Sequence, residues 1–103
     1  MPSPLSAQVA AFPQYVSTPE IRLDVAEEAK FDIVRRAVEH FKQAHDVIAI
    51  DGARVLFDGG WGLLRASNTQ PVLVARYEAR TPERLAAIRR EMEGWLTEQG
   101  VRV

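Results

Sequence analysis

A chain of 103 residues supports one modest hydrophobic core and leaves no room for a second domain. Its 13 basic and 14 acidic residues nearly cancel, so no broad field favours nucleic acid or an anionic membrane, and any anion site must be local. The absence of cysteine excludes disulfides, thiolate metal sites and a cysteine nucleophile, and suits a reducing cytoplasm.

The opening Met1–Ala7 lacks the basic start and long apolar stretch of a signal peptide, and nothing approaches membrane-span length. The expectation is a cytoplasmic domain without a membrane partner. Residues 1–19 carry four of the six prolines and little periodicity, which predicts a linker or hinge arm leading into a folded unit over 20–103. From Glu20 to Val25 the pattern alternates, with Ile21, Leu23 and Val25 on one side, as a strand with one buried face does. Asp24 and Glu27 have capping-box spacing. Phe31, Val34, Val38 and Phe41 then follow at helical spacing, so a first helix is predicted from about Ala26 to about His40 or just beyond.

Short strands come next. Val47–Ile50 is apolar, Asp51-Gly52 is a hairpin signal, and Ala53–Phe57 is the return strand. Asp58-Gly59-Gly60 turns the chain into Trp61–Ala66, and Pro71–Ala79 is the longest strand. Thr81-Pro82 reads as an N-cap and a first-turn proline, Leu85, Ile88, Met92, Trp95 and Leu96 form one apolar stripe, and Gly100 is a stop. Strand, helix, four strands, helix is an α+β order, most economically an antiparallel sheet with both helices packed on one face.

The stretch Arg65-Ala-Ser-Asn-Thr-Gln-Pro71 joins two apolar strands, and no Asp or Glu occurs from Gly59 through Tyr77. Arg65 offers a planar fork suited to two phosphate oxygens. Ser67 and Thr69 add hydroxyls and Asn68 an amide. Asn68 also tolerates a left-handed backbone, which would turn successive N–H groups inward as an anion nest. Against this stands a structural explanation. Ser, Asn and Thr are common turn formers, and Arg65 could simply pair with a carboxylate on a neighbouring strand. Arg76, on the following strand, either supports an anion or pairs with Glu20 or Glu78. His40 and His45 are isolated and expected to face solvent, and Trp61 and Trp95 are read as core or staple aromatics. Arg84, Arg89, Arg90 and Arg102 are read as the wet side of the last helix and the tail.

The run from Gly60 to Ala79, GWGLLRASNTQPVLVARYEA, resembles the phosphate-binding stretch in the C-terminal domain of the alpha-D-phosphohexomutases, nearest the bacterial phosphomannomutase/phosphoglucomutase group. The likeness extends to Tyr15-Val-Ser-Thr-Pro-Glu20 and to the Asp51-Gly-Ala-Arg-Val55 hairpin, covering nearly everything from Phe12 to about Trp95. The resemblance implies a TATA-binding-protein-like fold of β-α-β4-α order. It also implies an enzyme that moves a phosphoryl group between O1 and O6 of mannose or glucose phosphate. A phosphoserine in a first domain and Mg2+ held by a second would do that chemistry, with a sugar-reading loop in a third. The present residues would then be the fourth domain, closing over the hexose phosphate. By the same resemblance Arg65, Ser67, Asn68 and Thr69 hold the phosphate that is not transferred, with Arg76 as possible support. No residue of this chain is implied as catalytic or as a metal ligand, and the domain alone is expected to be inactive.

Many family members have Pro, Gly and Glu where this chain has Ala66, Asn68 and Gln70, which leaves the preferred sugar open. The alternative is a stand-alone anion-binding or regulatory module of the same fold. Nucleic-acid binding, suggested by the TATA-binding-protein-like order, fails for want of a basic stripe.

Overall fold

The computed structural model describes residues 15–103. The alternating residues of the N-terminal half form two strands, β1 (Val16–Ser17) and β2 (Ile21–Asp24). They lead through a one-turn 3-10 helix, Glu27–Ala29, into α1 (Lys30–Phe41). Then come β3 (Asp46–Ile48), β4 (Ala53–Phe57), β5 (Gly60–Ala66), β6 (Val72–Ala79) and α2 (Pro82–Glu98). All pairings are antiparallel. The sheet runs β1-β6-β5-β4-β3, and β2 lies beside β1 along the same edge of β6. This is the α+β architecture anticipated from element order.

β6 is the centre of the molecule. One edge pairs with β5 from Gly60↔Ala79 to Ala66↔Leu73. The other edge meets β2 from Ile21↔Ala75 to Asp24↔Val72 and β1 at Val16↔Ala79 and Ser17↔Glu78. The gap between β1 and β2 has a local cause. Pro19 has no N–H to donate, and buried Thr18 bridges the break: its N–H reaches Tyr77 O at 3.0 Å and its Oγ1 accepts the Tyr77 N–H at 3.2 Å. The segment expected to be an arm therefore ends inside the sheet, at Val16–Thr18. Its first fourteen residues lie outside the described part of the chain.

Both helices cover the face of the sheet that presents Val55, Leu64, Leu73, Ala75 and Tyr77, and these residues with Ile88, Met92 and Leu96 make the core. α2 follows the sequence pattern. Thr81 Oγ1 accepts the Arg84 N–H at 3.1 Å, Pro82 occupies the first turn, and Ile88, Met92, Trp95 and Leu96 are buried.

α1 departs from it in two ways. The expected Asp24–Glu27 capping box does not form, because Asp24 is the last residue of β2, paired to Val72, and neither helical start has a side-chain cap. The buried row is Lys30, Ile33, Ala37 and Phe41, rather than Phe31, Val34, Val38 and Phe41. Phe31 is 58% exposed, and Val34 and Val38 are half-buried. Two rows at helical spacing compete on this helix, and the one containing small Ala37 lies against the sheet.

The Asp51-Gly52 hairpin is also wider than a two-residue turn. Strand pairing ends at Ile48↔Arg54, leaving Ile50 74% exposed and Asp51 left-handed at φ 58°. Gly52, at φ 134°, presses on β5. A Cβ there would lie 2.6 Å from Leu64 O and 2.8 Å from Arg65 Cβ, so only glycine fits.

Candidate anion-binding site

The loop between β5 and β6 is shaped by its own short polar residues. Ser67 N–H reaches Val72 O at 3.1 Å and closes the loop. Ser67 Oγ accepts the N–H groups of Thr69 at 3.3 Å and Gln70 at 3.2 Å. Across Pro71, the Val72 N–H donates to Gln70 O at 2.8 Å, an i to i+2 turn. Lys30 Nζ donates to the same carbonyl at 3.1 Å and lies 2.9 Å from Glu27 Oε2. The wholly buried Lys30 was not among the residues singled out in the sequence, where it reads as one more helix-surface cation.

Beside this loop a cleft of about 620 Å³ opens between three walls. Phe31, Val34, Arg35 and Val38 of α1 form one, Ala49, Asp51 and Gly52 of the β3–β4 loop another, and Arg65, Ala66 and Asn68 the third. The row that α1 does not bury is thus the apolar wall of the cleft. Arg35, a second arginine here, had no distinguishing signal in the sequence.

The predicted residues arrive unevenly. Arg65 and Asn68 line the cleft. Arg65 Nη2 also donates to Glu20 Oε2 at 3.3 Å, a contact between two half-exposed side chains that is worth at most about 1 kcal/mol. Ser67 and Thr69 are in the loop but not in the cleft lining, and Thr69 is exposed. The nest expected from Asn68 is not formed: Asp51 is the only described non-glycine residue at positive φ, and the amides of Thr69 and Gln70 turn to Ser67 Oγ instead. With its oxygen accepting two amides, the Ser67 hydroxyl still has its own proton to donate.

Arg76 stands opposite Leu63 on the sheet face away from the helices, and its expected partner Glu20 is taken by Arg65. Among the described residues Arg76 makes no ion pair. The acid-free window of the sequence is not acid-free in space, because Glu20 and Asp51 are brought to Arg65 and the cleft by β2 and the β3–β4 loop.

Two ionisable groups are perturbed, one on α1 and one in the core beneath α2. A hydrogen bond from Arg36 holds the Asp32 carboxyl below its ordinary range, helped by the charges of Arg35 and Arg36. Burial pushes the Tyr77 phenol above its ordinary range, with the charge of Glu93 adding to the effect. His40 is exposed and stacks on Trp95 with ring centroids 5.3 Å apart, whereas His45 is half-buried against Phe57 and lies 2.8 Å from Glu91 Oε2. His45 is thus less open to solvent than expected. Trp95 joins the core, and Trp61 is half-exposed under Arg54, 4.6 Å from the ring centre. Among the described residues no group of three His, Asp or Glu side chains could hold a metal ion, and no helix is long and apolar enough to cross a membrane.

Residues 20–94 match the family described as phosphoglucomutase/phosphomannomutase, C-terminal domain. The chain is similar to a phosphomannomutase/phosphoglucomutase of Pseudomonas aeruginosa, 46% identical over 81 residues that make up 78% of this chain and 18% of the relative. A phosphoglucomutase of Neisseria meningitidis serogroup B is 42% identical over 84 residues, 79% of this chain and 18% of the relative. Among solved structures, a phosphoglucomutase/phosphomannomutase family protein from Burkholderia thailandensis superimposes with a TM-score of 0.67 at 40% identity, covering 84% of this chain and 18% of that one. The chain thus spans about a fifth of the length of the relatives it matches, and that fifth corresponds to their C-terminal domain. With the family match over residues 20–94 and the superposition of the fold agreeing, the chain belongs to the phosphoglucomutase/phosphomannomutase C-terminal domain family.

Proposed function

We propose that this domain grips the phosphate of a hexose phosphate and closes the substrate cleft of a phosphomannomutase/phosphoglucomutase during transfer between O1 and O6. The observation that carries this reading is the Arg65–Gln70 loop bordering a cleft of about 620 Å³ in a member of this family. Arg65 supplies the fork, the Ser67 hydroxyl and the Asn68 and Thr69 side chains supply neutral donors, and Arg35 adds positive charge across the cleft. An arriving phosphate competes with Glu20 for Arg65, and the weak, half-exposed pair yields readily.

The role is positioning. A fixed phosphate orients the far end of the sugar toward groups that other domains contribute, and no bond is made or broken by these residues. The phosphoserine, the sugar-reading loop and Mg2+ would lie in the parts of the relatives that this chain does not cover. The domain alone should therefore have no turnover, and the enzyme it serves would act on mannose or glucose phosphate in the cytoplasm.

The test is a titration of the 15N-labelled chain with mannose 1-phosphate. Weak saturable binding with the largest amide shifts from Arg65 to Gln70 is expected. Shifts confined to α1, or none in the loop, would overturn the assignment.

A further inference from the structure

Lys30 is the one charged side chain among the described residues with 0% exposure. Burying an ammonium is costly unless it is paired and hydrogen-bonded, and an apolar residue of similar length would fill the same space without that cost. Its ion pair with Glu27 does not account for the burial, since Glu27 is only three residues away and 63% exposed, a class of pair that contributes little. The other contact is different in kind. Gln70 O is forty residues away, at the end of the candidate anion loop.

We infer that Lys30 is a positioning residue: its ammonium fastens the Gln70 carbonyl to the first turn of α1 and so sets the width of the cleft. The peptide between Gln70 and Pro71 has no N–H, and the Gln70 and Val72 N–H groups are used within the loop. The carbonyls of Gln70 and Pro71 are therefore what tie this corner to the rest of the fold. Pro71 O takes the Val25 N–H at 3.0 Å, which ties the corner to the end of β2. The bonds to Ser67 Oγ and across Pro71 are internal to the loop, giving it shape without attaching it to the helix. Lys30 makes that attachment, one residue before Phe31 and one turn before Val34, the apolar wall of the cleft. It also neutralises a carbonyl oxygen close to where an anion would sit. The purpose assigned to the pin rests on the anion-binding reading above. The pin itself does not.

The decisive variant is Lys30→Met, which keeps the chain length and removes only the ammonium. Amide hydrogen exchange is measured with no ligand, and inorganic phosphate is then titrated into both proteins. The expected result is an unchanged or raised melting temperature, as replacement of a buried charge by an apolar group often gives. Thr69 and Gln70 amides should exchange about tenfold faster and phosphate should bind about tenfold more weakly, the effect of losing one hydrogen bond to a charged group. Amides of α2 should not change. A purely structural role predicts the reverse, lower stability with an unaltered loop.

Loop exchange equal to that of the unsubstituted chain overturns the pin while leaving the phosphate reading intact. Faster loop exchange in a protein whose loop ignores phosphate retains the pin and removes the phosphate reading. Should Lys30→Met not fold, the unsubstituted chain decides. A slowly exchanging Lys30 15Nζ signal, coupled through the hydrogen bond to the Gln70 carbonyl carbon, supports the pin, and its absence overturns it.

Discussion

α1 and α2 lie on the same face of one sheet, yet they are built to different ends. α2 has a capping threonine, a first-turn proline and an apolar stripe that disappears into the core. α1 starts without a side-chain cap, buries a lysine, and leaves Phe31 open with Val34 and Val38 half-covered. The difference follows from what each helix faces. α2 lies mainly on β5 and β6 and meets α1 through Trp95, so its apolar stripe is wholly given to burial. α1 closes the core with Ile33, Ala37 and Phe41, while its next row borders the cleft. Of that row, Val34 and Val38 still pack against the core, and Phe31 is the one that burial does not explain.

That contrast can be broken most directly by truncating one residue from each helix. Met92→Ala should cost about 2–5 kcal/mol, the range for emptying a filled core position. Phe31→Ala should stay within about 0.5 kcal/mol, as for an exposed side chain. Urea melts of both variants measure it, and comparable losses would mean that the two helices contribute alike.

The next effect lies on the cleft itself. Arg65→Lys should weaken phosphate binding about tenfold, or about 1.4 kcal/mol, since it keeps the charge and loses the fork. The melting temperature should hardly move, because the Glu20 partner is half-exposed. Isothermal titration beside a thermal melt separates the two quantities.

α2 also offers a gain. Gly94 sits in its interior, exposed, with nothing within 4 Å of an added methyl group. Gly94→Ala should therefore stabilise the protein by about 1 kcal/mol, and a lower melting temperature would show that the helix is not as regular as described.

The smallest effect near neutral pH concerns Tyr77, whose buried hydroxyl has no hydrogen-bond partner among the described residues. Tyr77→Phe should change stability by less than about 1 kcal/mol there, in either direction. The sign of its pH dependence is definite. Burial raises the phenol above its ordinary value of 10, so the folded state keeps a proton that the unfolded chain gives up. The associated stability is complete below pH 10 and is lost as the pH rises beyond it. Denaturant melts above pH 10 should show less alkaline loss in Tyr77→Phe than in the parent chain.

Much of the fold was legible because local rules agreed with one another. Thr81-Pro82 started α2 where a cap and a first-turn proline should, and the alternation at Ile21 and Leu23 gave a half-buried strand. The site was legible as a composition, an arginine with hydroxyls and an amide between two strands, but not as an arrangement. The sequence suggests a left-handed Asn68, but Ser67 captures the loop amides with its own oxygen, a choice of amide partner that residue types alone leave undecided. Asp24 had capping-box spacing and was taken by strand pairing.

Periodicity, turn residues and caps act over a few neighbours, and for that reason the sequence by itself determined the element order, the sheet's composition and the position of the polar loop. Everything that depends on which distant segments meet was decided by packing. The sheet chose Ala37 over Val38 as the inner row of α1. It carried Glu20 to Arg65 and Asp51 to the cleft. It also brought a lysine at the start of one helix against a carbonyl forty residues further on. Such contacts have no local signature, because their energy is settled only when the core has closed around them.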